Sequence, residues 1–183
     1  MAEVPALRLA LDTSVLISHL RGDEFSQPTT RFLQWARRTR QDLVMSDISY
    51  GRLYVGIHLS QDPSREERRV QRLLAVNRIE TRLPGTLDIA KRAGQLYSSY
   101  LRKRGEGVRR ILPDFLIGAH AEVYASQLVT WNPEDFRNYL SIEVRTPGEA
   151  IRESEPPRKS EKGNLPKLKP SVREKHDREN PDT

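Results

Sequence analysis

The chain has 183 residues, of which 36% are apolar and 31% are charged, so it fits one globular domain with an added polar segment. It contains no cysteine, which excludes disulfide bonds, thiolate metal sites and cysteine nucleophiles. The net charge of +6 favours a polyanionic partner such as nucleic acid, although such a charge often serves solubility alone. No apolar run approaches the roughly 20 residues of a membrane-spanning helix, so we expect a soluble, cytoplasmic protein with no membrane partner.

The composition changes near residue 150. Residues 151–183 contain five of the chain's twelve prolines, and beyond Ile151 only Leu165, Leu168 and Val172 are clearly apolar. So little apolar surface cannot offset the conformational entropy that ordering the segment would cost. The sequence therefore predicts a folded domain over residues 1–150 and a basic, proline-rich, disordered tail over residues 151–183.

Short apolar runs alternate with helical patterns along the predicted domain. Residues 7–11, 43–45, 76–81, 128–130 and 142–144 are typical of strands. The patterns typical of helices cover residues 15–20, 32–36, 48–57, 63–74, 86–103 and 113–125, and Thr13 or Ser14 is the expected cap of the first. Buried strands separated by helices indicate an α/β fold, with a mostly parallel sheet covered by helices on both faces.

Polar residues follow several of these strands, where an open parallel sheet collects its functional groups. Asp12 follows the first strand, Ser46 and Asp47 follow the second, and residues 130–135 follow the fourth. Asp114 begins the helix that leads into the fourth strand. The sequence thus predicts a cluster of oxygen ligands at one edge, which suits Mg²⁺ or Mn²⁺ better than zinc. A divalent cation in such a site assists phosphodiester hydrolysis.

Each of these acidic residues also has an ordinary structural interpretation. An aspartate after a strand most often caps a helix or forms a turn. Asp114 complements the positive end of its helix, and residues 132–135 are typical of a turn. The spacing alone leaves the metal site and the structural interpretation both open.

Three motifs carry a resemblance to a known family. They are Leu9-Ala-Leu-Asp-Thr-Ser-Val-Leu-Ile17, Pro113-Asp-Phe-Leu-Ile-Gly-Ala119 and Leu128-Val-Thr-Trp-Asn-Pro-Glu-Asp-Phe136. In this order and spacing they resemble the signatures of PIN-domain ribonucleases, and most of all those of VapC toxins of toxin–antitoxin pairs. The likeness covers about residues 7–150 and implies a three-layer sandwich with a central, mostly parallel sheet.

The resemblance also implies an activity and partners. Such enzymes are Mg²⁺- or Mn²⁺-dependent endoribonucleases that hydrolyse RNA phosphodiester bonds. A small antitoxin protein inhibits the toxin by covering or entering the acidic groove, and the toxin pairs with a second copy of itself. Carried over to this sequence, the metal-holding and catalytic positions are Asp12, Asp114, Asn132 and Asp135, and the small hydroxyl residues beside the metal are Thr13, Ser14 and Thr130.

One position departs from the family pattern. Residues 46–57 resemble the second motif, in which a glutamate usually stands just before the leucine, but here Arg52 precedes Leu53. A guanidinium near Asp12 and Asp114 would pair with them in place of the metal. Asp47 is a candidate substitute ligand. The alternative hypothesis is therefore a catalytically degenerate PIN module that binds RNA or a protein partner without cleaving RNA.

Further residues are candidates for weaker contacts with the substrate. Arg109 and Arg110 are candidate phosphate contacts, and Trp131 is a candidate stacking surface for a base, although packing is its more ordinary role. Glu122 is typical of a surface acid on a helix. A third hypothesis keeps the fold and the metal site but takes DNA as the substrate.

Overall fold

The computed structural model describes residues 8–82, 87–103 and 111–154. Within these ranges the strands are β1 (Arg8–Leu11), β2 (Asp42–Ser46), β3 (Ile79–Arg82), β4 (Gln127–Val129) and β5 (Glu143–Arg145). The helices are α1 (Thr13–Arg21), α2 (Ser26–Arg38), α3 (Asp47–His58), α4 (Pro63–Val76), α5 (Leu87–Lys103), α6 (Leu112–Tyr124) and α7 (Pro147–Ser154), and Pro133–Asp135 forms a single 3₁₀ turn.

The five strands form one sheet in the order β3-β2-β1-β4-β5, and all four pairings are parallel. The chain therefore builds the sheet outward from β1 to β3, and then returns to the other side of β1 with β4. The predicted α/β fold with a parallel central sheet is confirmed. The reversal of strand order lies between β1 and β4, which is where such sheets place their functional sites.

Alternating strand residues fill two cores, one on each face of the sheet. Leu9, Leu11 and Leu43 pack with α1, α2, α3 and α4 on one face. Ala10 and Val44 pack on the other face, against α6. The three central strands β1, β2 and β4 bury both of their faces and therefore have continuous apolar runs, whereas the edge strands β3 and β5 contain exposed charged residues. The molecule thus has the three-layer arrangement that the resemblance implied.

The first helix begins earlier than its apolar pattern suggested. The Asp12 carboxylate accepts a hydrogen bond from the Thr13 backbone N–H and caps α1, so the expected cap at Thr13 or Ser14 was wrong. Asp, Ser and Thr are all good capping residues, so the cap is the residue at which the backbone turns from β1 into the helix. Gly22 ends the helix in the left-handed conformation, with φ at +69°.

The expected boundary after residue 150 falls inside α7, whose Ile151 packs against the core. Of the predicted tail, residues 155–183 lie outside the described residues. None of the helices within the described ranges combines the length and apolarity that a membrane-spanning segment needs.

Candidate active site

The candidate site lies at the carboxyl ends of β1 and β4. Asp12 directly follows β1, and its backbone N–H donates to the Val129 carbonyl of β4 over 3.0 Å. Thr130 directly follows β4, and its hydroxyl donates to Asp12 Oδ2 over 2.9 Å. The parallel pairing of the two strands therefore brings together residues that are 118 positions apart in the sequence.

A cleft of about 390 Å³ opens at this edge of the sheet. Four carboxylates and one guanidinium line it, which leaves the lining formally negative. The full lining consists of Asp12, Thr13, Ser14, Ile17, Ser18, Asp23, Phe25, Arg52, Asp114, Trp131, Asn132, Asp135 and Phe136. Eight of the residues singled out in the sequence are thus brought to one cleft, although they come from four separate segments of the chain.

Asp12 is the most firmly held carboxylate of the cleft. It is only 5% exposed. Its Oδ1 accepts from the Thr13 backbone N–H over 2.7 Å, and its Oδ2 accepts from the hydroxyls of Ser14, over 2.7 Å, and of Thr130. Three donors keep this buried carboxylate satisfied and fix its orientation, so ordering it for a ligand costs little further entropy.

The same hydroxyls orient the loop after β4. The Trp131 backbone N–H donates to Ser14 Oγ over 3.1 Å, and the Asn132 backbone N–H donates to Thr130 Oγ1 over 3.0 Å. Ser14 and Thr130 therefore act between Asp12 and the loop that carries Asn132 and Asp135. This arrangement explains physically why small hydroxyl residues stand at these two positions.

Asp114 enters the cleft from the first turn of α6 and is paired with Arg52. Arg52 Nη1 lies 3.0 Å from Asp114 Oδ1, and the two side chains are 44% and 26% exposed. The backbone N–H of Ile111 donates more weakly, over 3.4 Å, to the other oxygen. The departure from the family motif at Arg52 therefore has a direct structural consequence, since a guanidinium occupies one face of Asp114.

The donor atoms of the cleft fit a hard divalent cation in their chemistry. The side-chain atoms of the lining that can ligate a cation are the oxygens of its carboxylates, hydroxyls and the Asn132 amide. The Thr13 hydroxyl, which is buried beside Asp12, has no hydrogen-bond partner within the described residues. A buried hydroxyl without a partner is an unused ligand or donor. A metal site is not preassembled in the cleft, because no three His, Cys, Asp or Glu side chains in the described ranges are grouped tightly enough to hold a metal ion.

Two of the residues singled out in the sequence, Asp47 and Thr130, are described but do not line the cleft. Asp47 begins α3 at the end of β2 but is not part of the cleft lining, and its Oδ1 is buried without a hydrogen-bond partner within the described part of the chain. Thr130 is fully buried, and its hydroxyl contacts the cleft residues Asp12, Ser14 and Asn132. Arg109 and Arg110 lie outside the described residues.

The cleft also contains residues that the sequence did not single out. Asp23 accepts a hydrogen bond from Ser18 Oγ over 2.6 Å and from the Phe25 backbone N–H over 3.0 Å. Phe25 packs its ring against that of Trp131, with the ring centroids 4.7 Å apart. The sequence offered one signal near these residues, the Gly22-Asp23 pair, which marks the end of α1. That pair does not indicate that the residues after it turn toward the cleft.

Several solved structures similar to this chain are VapBC proteins, which form a family of toxin–antitoxin systems. VapBC2 from Rickettsia felis, bound to a promoter DNA fragment, matches with a TM-score of 0.64 and 18% identity over 76% of this chain and 98% of the other. DNA-bound VapBC from Salmonella typhimurium matches with a TM-score of 0.61 and 24% identity over 77% and 98%. VapBC-1 from nontypeable Haemophilus influenzae gives 0.59 and 23% over 77% and 98%.

A family model adds sequence information to these similarities in fold. No curated protein matches the chain. The model of the PIN domain matches residues 9–139, which is most of the chain and includes every element from β1 to the loop after β4. The chain therefore belongs to the PIN domain family.

Proposed function

We propose that this protein is an endoribonuclease that depends on Mg²⁺ or Mn²⁺ and is the toxin of a VapBC-like toxin–antitoxin pair in the cytoplasm. The observation that carries the proposal is that Asp12 and Asp114, from β1 and α6, line one cleft at the reversal of the sheet. Carboxylates that line one cleft repel each other, and Arg52 is the single guanidinium of that lining, so a divalent cation would neutralise the remaining negative charge.

The residues of the cleft have distinct roles in this proposal. Asp12 and Asp114 are the principal metal ligands, and Asn132 and Asp135 complete the site from the loop after β4. A bound divalent cation supplies charge neutralisation at the scissile phosphate and lowers the pKa of water. Ser14 and Thr130 hold Asp12 in place by the hydrogen bonds described above. Arg109 and Arg110 are proposed as additional contacts with RNA phosphates.

The fold relatives support the proposal of a protein partner. They are the VapBC complexes of Rickettsia felis and Salmonella typhimurium, and both were solved bound to DNA. By analogy, the partner of this chain is a small antitoxin that inhibits by covering the acidic cleft, and the toxin forms a homodimer. Size-exclusion chromatography with light scattering tests the dimer, and an antitoxin encoded beside the toxin gene would copurify with it.

RNA cleavage tests the activity directly. Purified protein is incubated with single-stranded RNA in Mg²⁺, in Mn²⁺ or in EDTA, beside the variants Asp12→Asn and Asp114→Asn. We expect cleavage with either metal and its loss in EDTA and in both variants. Asp42→Asn is the matched control, since Asp42 is an exposed aspartate at the opposite, amino end of β2. Undiminished cleavage by both site variants refutes the assignment, and a parallel reaction with single-stranded DNA tests the DNA hypothesis.

The contact between Arg52 and Asp114 favours a second candidate function. If the guanidinium permanently replaces the metal, the protein is a degenerate PIN module that binds RNA or a protein without cleavage. Calorimetric titration with Mn²⁺ separates the two candidates. Mn²⁺ binding by the unaltered protein supports the nuclease, whereas binding that appears only after Arg52→Glu supports the degenerate module.

A further inference from the structure

An exposed aromatic ring lies at the edge of the cleft. Phe25 is 41% exposed, while every other aromatic residue with a described side chain is buried or half-buried. A single exposed apolar side chain is ordinary on a protein surface, but an aromatic ring beside a polar cleft offers a flat face to a ligand. Phe25 also belongs to the cleft lining, so this exposure is next to the carboxylates.

The Phe25 ring is held in place by its neighbours. It packs on Trp131 at an interplanar angle of 31°, and Trp131 Nε1 donates to the buried Thr29 Oγ1 over 3.0 Å. The Phe25 backbone N–H donates to Asp23, which is itself fixed by Ser18. Trp131 is thus the inner, anchored ring and Phe25 the outer one, and both are held before any ligand arrives.

The aromatic pair is rigidly connected to Asp12. The Trp131 backbone N–H donates to Ser14 Oγ, and the same hydroxyl donates to Asp12 Oδ2. The Ser14 side chain therefore links the backbone of Trp131 to the buried carboxylate of Asp12. Because Asp12 and Phe25 line the same cleft, a nucleic-acid strand with a phosphodiester at Asp12 can offer a neighbouring base to the Phe25 ring.

We infer that Phe25 is a stacking surface for an unpaired nucleobase of the nucleic acid that enters the cleft, with Trp131 as its anchored support. This inference rests on the proposed function and makes it more specific. A base can stack on a side chain only when it has left its own helical stack, so the preferred ligand is single-stranded RNA, or a loop, over duplex RNA. Trp131, the stacking candidate from the sequence, packs against the Phe25 ring and supports it.

Binding without cleavage tests the inference independently of catalysis. A fluorescein-labelled 12-nucleotide single-stranded RNA and a 12-base-pair duplex are titrated in EDTA with the protein and with Phe25→Leu, Phe25→Ala and Phe25→Tyr. Leucine keeps an apolar contact with Trp131 but has no π-face, and tyrosine keeps the face. Val123→Ala is the matched control, since Val123 is 49% exposed on α6 and lies outside the cleft.

We expect Phe25→Leu and Phe25→Ala to weaken single-strand binding about 5- to 150-fold, the range for loss of one stacked base. The affinity of Phe25→Leu and Phe25→Ala for the duplex should stay within about twofold of that of the unaltered protein. The single-strand affinities of Phe25→Tyr and Val123→Ala should also stay within about twofold, which is about 0.4 kcal/mol. An RNA carrying 2-aminopurine should show quenching by the protein that Phe25→Leu removes at matched saturation.

The remaining outcomes overturn the inference. Unchanged single-strand affinity in Phe25→Leu and Phe25→Ala overturns it while leaving an Asp12-dependent cleavage activity intact. An equal loss of single-strand and duplex affinity overturns it as well, since that indicates a general disturbance of the surface. Conversely, Phe25-dependent binding by a protein that does not cleave RNA supports the inference and contradicts only the catalytic part of the proposed function.

Discussion

The guanidinium of Arg52 lies 3.0 Å from the carboxylate of Asp114 at the edge of the cleft that also contains Asp12. Because both side chains are partly exposed, such a pair is worth at most about 1 kcal/mol after screening by water. Displacing it therefore lowers the affinity for a metal by about fivefold at most. A magnitude of this size weakens a metal site without abolishing it, so the contact is compatible with the proposed metal site and leaves the choice between the two candidate functions to the titration with Mn²⁺.

Removing the guanidinium should therefore strengthen metal binding. We expect Arg52→Ala to raise Mn²⁺ affinity by up to about fivefold in calorimetric titration, since the competing ion pair is lost. Arg69→Ala is the control, because it removes an arginine whose partners are Glu66 and the Leu20 carbonyl. Unchanged affinity in Arg52→Ala would show that Arg52 does not compete with the metal.

Loss of the Thr130 hydroxyl should destabilise the protein and loosen Asp12. The change Thr130→Val keeps the shape but removes the donor to Asp12 Oδ2 and the acceptor for the Asn132 backbone N–H. The site is fully buried, so we expect a loss of about 1–3 kcal/mol in unfolding free energy, measured in urea. Thr130→Ser retains the hydroxyl and should lose much less. Equal stability of the valine and serine variants would argue against the hydrogen bonds as the cause.

Stability should fall in acid because of Glu122. Burial raises the pKa of Glu122, but hydrogen bonds from Arg92 and Ser141 outweigh it and hold the pKa below its ordinary value of 4.5. The folded state therefore favours the ionised form. The resulting stabilisation is complete above pH 4.5 and is lost as the pH falls through the lower pKa of the folded protein.

A substitution at Glu122 tests this dependence. We expect Glu122→Gln to lower the unfolding free energy by about 1–3 kcal/mol at pH 7, because the hydrogen-bonded carboxylate is only 8% exposed. The difference from the unaltered protein should shrink as both are measured at lower pH. Glu24→Gln, at an exposed glutamate, should change little at any pH. A difference that grows in acid would have the wrong sign.

The ring of His19 should titrate below the ordinary histidine range. Burial lowers the pKa of His19 from 6.5, and the positive charge of Arg69 lowers it further. NMR titration of the His19 ring measures this value. We expect Arg69→Gln to raise the pKa, whereas Arg68→Gln, one residue earlier on the exposed side of α4, should leave it nearly unchanged. A pKa above 6.5 in the unaltered protein would contradict the structure around this ring.

The strands and the positions of the acidic residues could be predicted because both follow from local rules. A strand buried on two faces is a short apolar run, and the residue after it lies at the carboxyl edge of the sheet. This is why Asp12 could be placed at the edge from the sequence, and the structure places it in the cleft with Asp114.

Features that depend on distant partners could not be predicted. Glu122 has the pattern of a surface acid, yet it is buried by Arg92, 30 residues earlier, and by the backbone at Ser141. Phe25 and Asp23 reach the cleft only because of the turn after α1. The unusual residue in the motif predicted the pairing of Arg52 with Asp114. The exposure of the two side chains, which sets the strength of the ion pair, required the structure.

The position of a bound ion decides whether Asp12 and Asp114 hold a divalent cation. Crystals grown with Mn²⁺ are measured at the manganese absorption edge, where anomalous scattering locates the ion without assumptions about its ligands. The proposal predicts one peak in the cleft, bounded by the carboxylates of Asp12 and Asp114, with Arg52 turned away from Asp114. A cleft that shows no peak at saturating Mn²⁺ and retains the contact between Arg52 and Asp114 would contradict it.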